Sequence, residues 1–227
     1  MAKGGKRTWL DWWCGQPWLH ATYALGIVML CVAVIMWPEW GAQQRVMGLL
    51  CVFVPLHVFE ELTWPNGFQV MMNKLIQKSD NPLAYPENRL TDMVTNFGAE
   101  LLFIAMLALT PAAGNMFVVF AAVFGIGETV AHTIFSVASL RHYAPMGKRT
   151  IYSPGYVTAC CLLLPVGVFS LHWLVTSGTF VPWDLWGLAF VAFLIGFMIR
   201  LPFIISYKIK STRFAYDSKG YFEKFEG

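Results

Sequence analysis

Apolar runs broken by short polar stretches dominate this chain. Six runs are long enough to cross a bilayer, a crossing helix needing about 20 residues. They cover 18–37, 46–64, 90–110, 115–140, 156–177 and 185–207. The expected fold class is therefore all-α: a polytopic membrane helix bundle of about six transmembrane helices, forming one transmembrane domain over 1–227. Pro65 ends the second run and opens the longest connection, 65–89. Within it Phe68, Met71, Met72 and Leu75 recur at helical spacing beside Lys74 and Lys78. That pattern predicts an interfacial amphipathic helix over about 66–78. Residues 79–88 read as a turn-rich loop. The tail, 210–227, is polar with scattered aromatics and is expected to pack loosely at the cytoplasmic membrane surface.

Charge orients the bundle. Lys3, Lys6 and Arg7 precede the first run; Lys74, Lys78 and Arg89 separate the second and third; Arg141, Lys148 and Arg149 separate the fourth and fifth. Lys208, Lys210, Arg213, Lys219 and Lys224 close or follow the sixth, whereas the opposite connections contain only Arg45. Under the positive-inside rule this places both termini in the cytoplasm. Trp9, Trp12, Trp13 and Trp18 at one boundary, and Trp37, Trp40, Trp173, Trp183 and Trp186 at the other, read as interfacial belts. The first run follows basic residues but lacks a cleavage site and is read as retained. The expected location is the cytoplasmic membrane of a bacterium.

Composition agrees: 57% of the 227 residues are hydrophobic and 13% charged, against about 25% charged in soluble domains. The net charge of +3 reports orientation, not nucleic-acid binding, since no stacked basic surface is visible. The five cysteines form no C-x-x-C pair and read as packing residues.

Candidate chemistry lies inside the runs. A charge at bilayer depth costs about 3 kcal/mol on insertion scales, so intramembrane acids mark functional sites by default. The second run carries His57, Glu60 and Glu61, with the imidazole one turn from either carboxylate. The third carries Asp92, close to the boundary, then Asn96 and Glu100; the fourth carries Glu128 and His132 one turn apart, with Thr129, Thr133 and Ser136 extending the stripe. Gly125 and Gly127 offer another helix a close approach. Counting from the cytoplasmic ends, His57, Asn96, Glu100, Glu128 and His132 fall in one layer about 10–20 Å deep. Arg200, on the sixth run, reaches a similar depth as a candidate counter-ion.

The string His57-Val58-Phe59-Glu60-Glu61, in a small polytopic chain, resembles the HXXEE family of membrane proteins, whose function is unknown. The resemblance carries over only to His57, Glu60 and Glu61.

The first functional reading is a metal-dependent membrane oxidoreductase or hydrolase acting on a hydrophobic or lipid-like substrate. His57, Glu61, Glu100, Glu128 and His132 would bind Zn, Fe or Mn, which imidazole and carboxylate ligands suit. Glu60, Glu61, Asn96 and Arg200 would assist the chemistry. The second is a metal-free acid–base isomerase or epoxide hydrolase using the same His and Glu residues. A proton-coupled carrier and a non-catalytic membrane protein stand behind both.

Overall fold

Proline and glycine set the helix boundaries. The protein was studied as a computed structural model that describes residues 8–226. Those residues are all-helical, without a strand among them. Helix α1 is Trp9–Trp13, with the Thr8 hydroxyl capping it and Asp11 bonding back. Helix α2 is Pro17–Met36 and α3 is Ala42–Leu62. The short α4 covers 68–76. Then come α5 (Arg89–Ala113), α6 (Met116–Met146), α7 (Tyr156–Thr176) and α8 (Pro182–Ile209), and α9 covers 220–226. Pro17 and Pro182 sit in first turns, where their missing N–H costs no hydrogen bond.

Five helices, α2, α5, α6, α7 and α8, are long and apolar enough to cross a membrane. Their outer faces carry exposed Ile27, Val34, Ile35, Val175 and Ile195, so the chain reads as an integral membrane protein. Helix α3 has the length, 21 residues, but is not among the five. Gln43, Gln44 and Arg45 at one end and His57, Glu60 and Glu61 at the other shorten its apolar stretch. It is instead the most enclosed helix of the bundle, touching α2, α4, α5, α6 and α7. Pro55 within it packs on Gly26 of α2, where an added Cβ would fall 2.7 Å from the proline ring.

Helices α6 and α7 cross at Gly125 and Gly167. A Cβ on Gly125 would lie 2.4 Å from the Leu163 carbonyl oxygen and 2.9 Å from the Gly167 nitrogen. Gly127 has no such role, because a Cβ there meets nothing within 4 Å. Wider π-helical turns interrupt α5 at Met93–Phe97, α7 at Ala159–Leu163 and α8 at Leu194–Arg200.

Polar contacts tie the two ends of the bundle differently. At one end Asn115 is a knot: it accepts from Gln43 (3.3 Å) and Trp173 (3.2 Å), and donates to Thr179 (3.1 Å) and Asp184 (3.0 Å). The other end is a cap built from α1, α4, the last turns of α6 and the tail. Arg213 holds Asp11 at 2.6 Å, Arg89 pairs with Asp217, and the Tyr221 N–H donates to the Asn66 carbonyl at 3.0 Å.

Helix α4 exists, and Gln69, Val70, Met71 and Asn73 on it are buried within the cap. The tail is docked, not loose: Phe222 is fully buried in a cluster with Met71, Leu75 and Tyr143. Sequence spacing showed the apolar face of α4, but its cover arrives some 150 residues later (Lys74 to Glu226, 152 positions).

Glu226 locks the tail, accepting from Lys74 at 2.7 Å, Lys219 at 3.1 Å and the Tyr143 hydroxyl. Burial alone would raise its carboxyl, but those three donors outweigh it and bring it to about 2. A depressed folded-state value contributes stability above the ordinary value of 4.5, lost as pH falls toward about 2. Near-ultraviolet circular dichroism from the stacked Tyr143 and Phe222 rings should therefore fade across that acid window. Glu226→Gln should speed chymotryptic cleavage at Tyr221 and Phe222 at neutral pH; an unchanged cleavage rate would count against the lock.

Candidate functional site

The motif lies in the last two turns of α3, where it meets α6 and the start of α7. His57 Nε2 is 3.5 Å from Glu61 Oε1, and His132 Nε2 is 3.2 Å from the same oxygen. On α6, Glu128 Oε2 is 3.7 Å from His132 Nε2. The two imidazole rings stand 4.7 Å apart, nearly perpendicular at 76°. His57, Glu128 and His132 each offer one ligand atom, all within 4.8 Å of one another. Glu61 adds a carboxylate oxygen between the rings.

The His57 ring is oriented from behind. Its Nδ1 is 2.8 Å from Thr158 Oγ1, and that hydroxyl is 2.5 Å from Glu60 Oε2. Thr158 Oγ1 donates to Glu60 Oε2, which leaves its lone pairs to accept from a His57 Nδ1–H. A neutral His57 then carries its lone pair on Nε2, facing Glu61 and His132. Glu60 also accepts from the backbone N–H groups of Val157 (3.3 Å) and Thr158 (2.8 Å). These are orphan donors in the first turn of α7, which Gly155 cannot cap with a side chain. Expected to assist chemistry, Glu60 has both oxygens committed to this helix end.

Gly155 is required twice over. Its φ is +86°, in the left-handed region, and a Cβ would fall 2.3 Å from His132 Cε1 and 2.9 Å from Glu61 Cγ. On the other side Phe68 stacks on His132 at 5.0 Å between centroids. His132 Nδ1 is buried with no hydrogen-bond partner among the described residues.

Other expected residues do not join this group. Glu100 is fully buried, and neither of its oxygens has a hydrogen-bond partner among the described residues. It is not among the residues whose ligand atoms lie within 4.8 Å of one another. Asn96 is half-buried and makes no side-chain hydrogen bond among the described residues. Arg200 is exposed and makes no ion pair among them, so it is not the counter-ion expected from depth counting. Asp92 is buried, not solvated, and accepts from the Tyr216 hydroxyl. Glu87 beside it was not anticipated. Burial pushes its carboxyl well above the usual range, reinforced by the charges of Asp92 and Glu61.

Helix α6 overruns its neighbours, and the 147–155 connection folds back along it, with Ser153 bonded to Ser136 at 2.5 Å. His132 therefore lies level with the start of α7, against Gly155. Thr158, Gly155 and Phe68 left no signal in the sequence, because their roles depend on which helix end packs against α3.

The fold and this cluster define a helical membrane protein with a buried histidine–glutamate site. The family described as "protein of unknown function with HXXEE motif" matches residues 48–170. The chain belongs to the HXXEE family, and His57, Glu60 and Glu61 are the motif residues. No curated protein and no solved structure matches it.

Thr158→Val keeps the shape of the side chain but removes the hydroxyl between His57 and Glu60. If the cluster holds a divalent cation, affinity should fall by about 10- to 100-fold, the usual effect of losing a ligand's hydrogen-bond partner. Thr158→Ser should restore it. Competition against a chromophoric chelator measures both, and equal affinity in all three proteins would refute the orienting role. Gly155→Ala should displace His132 and lower the melting temperature in detergent, as overpacking by one methyl costs about 1–3 kcal/mol.

Proposed function

We propose that this chain is a membrane metalloprotein whose His57, Glu61, Glu128 and His132 hold one Zn, Fe or Mn ion for chemistry on a hydrophobic or lipid-like substrate. In this reading six helices cross the membrane, α3 among them, and the cap faces the cytoplasm. The excess of Lys and Arg at the cap end supports that orientation.

Ligand spacing carries the metal reading. Bonds of about 2.0–2.1 Å around a tetrahedral ion put neighbouring ligand atoms about 3.3 Å apart. The successive contacts His57–Glu61, Glu61–His132 and His132–Glu128, at 3.5, 3.2 and 3.7 Å, lie near that edge, and the ligand atoms of His57, Glu128 and His132 all lie within 4.8 Å of one another. Two imidazoles with carboxylates suit Zn, Fe or Mn better than Mg or Ca. Cysteine takes no part, the five thiols being free and elsewhere. When bound, such an ion acts as a Lewis acid on a substrate oxygen or lowers the pKa of bound water. Glu60 and Thr158 would fix the His57 ring, while Phe68 and Gly155 would fix that of His132 and keep bulk water away. Glu61 Oε1, shared by both rings, would be the ligand atom that joins the two imidazoles.

One observation favours the metal-free alternative: at 3.2 Å, His132 Nε2–H can donate directly to Glu61, as an acid–base pair requires. Elemental analysis separates the two. Protein purified in detergent and exposed to Zn, Fe or Mn should retain one of them stoichiometrically, and His57→Gln, His132→Gln should lose it. A folded preparation that retains none leaves the acid–base reading in place of the metal one.

A further inference from the structure

Glu128 differs from the other members of the cluster in one respect. The side chains of His57, Glu61 and His132 are 7%, 7% and 1% exposed, whereas that of Glu128 is 28% exposed. The cluster therefore has one open edge. Beside it lies Gly127, itself exposed, where an added Cβ meets nothing within 4 Å.

The surroundings of that edge are apolar. Val123, Val130 and Ile134 are exposed along the adjoining face of α6, so an oily strip continues past Glu128 in both directions. The first exposed charge on the helix toward the cap is Arg141, thirteen residues on, or about 20 Å along the axis. The first part of α5 makes little contact with α6. The cap end is closed: Phe68 stacks on His132, and Ser153, Tyr143 and Phe222 are fully buried there.

We infer that the cluster opens sideways into the bilayer through a doorway at Gly127 and Glu128. It therefore takes its ligand from the membrane interior and not from the cytoplasm. The ligand class is a molecule dissolved in the bilayer, with an apolar body against the α6 strip and a single oxygen-bearing head for the centre. This rests on the metal reading for what the head meets, but not for where the door is.

A pair of carbodiimides tests the doorway. Each reacts with a protonated carboxyl: the acid oxygen bonds to the carbodiimide carbon, the proton moves to a nitrogen, and the adduct rearranges to a stable N-acylurea. Apolar dicyclohexylcarbodiimide partitions into lipid; its charged dimethylaminopropyl analogue stays in water. In phosphatidylcholine vesicles the apolar reagent should modify Glu128 several-fold faster than the charged one, read by peptide mass spectrometry. Gly127→Leu, which the open space accommodates, should slow that labelling several-fold while leaving Zn uptake intact. Equal or faster labelling by the charged reagent, no labelling by the apolar one, or indifference to Gly127→Leu overturns the doorway. Prior loading with Zn should block labelling. If it does not, and the apolar preference persists, the metal reading falls and the doorway stands.

Discussion

The Glu60 carboxylate against the start of α7 is the contact on which the site depends. A helix N-terminus buried without acceptors leaves orphan N–H groups, each costing about 1–3 kcal/mol when unsatisfied. A carboxylate at membrane depth is comparably costly without donors. Joined, each removes the other's penalty, and the opposing helix and N–H dipoles favour the negative charge. Thr158 extends the arrangement by one hydrogen bond and makes it directional. It passes the position of α7 into the orientation of His57. A packing solution between two helices thereby orients an imidazole.

Close approach then brings in the third helix. The Gly125–Gly167 crossing draws α7 onto α6, and Thr129 reinforces it by donating to the Ala159 carbonyl at 2.9 Å. With α7 fixed to both partners, Gly155 passes under His132 and the second imidazole is held against Glu61. Small residues thus serve the chemistry indirectly, by letting backbones approach.

Much of this was legible in the chain. The apolar runs foretold the long helices, and the positions of His57, Glu61, Glu128 and His132 foretold a shared layer. What could not be read was the division of labour within the motif. Glu60 and Glu61 are adjacent and equally reachable from His57 by spacing, and only the arrival of α7 assigns one to a helix end and the other to the cluster. Counting residues along separate helices gives position along each axis but not direction around it. It therefore drew Arg200 and Glu100 into a group they do not join. The short α4 was recognised by its apolar face, but the tail that covers it lies at the far end of the sequence.

The distance along the chain between Glu60 and Thr158 has a consequence for biosynthesis. The partners are 98 residues apart, and ribosomes add about 5–20 residues per second. For about 5–20 s, then, a nascent chain carries two acids and an imidazole at the end of its least apolar helix, with no partner yet made. Helix α3 completes its contacts only when α7 emerges. The packing of the first half of this protein is thus provisional until the second half is translated.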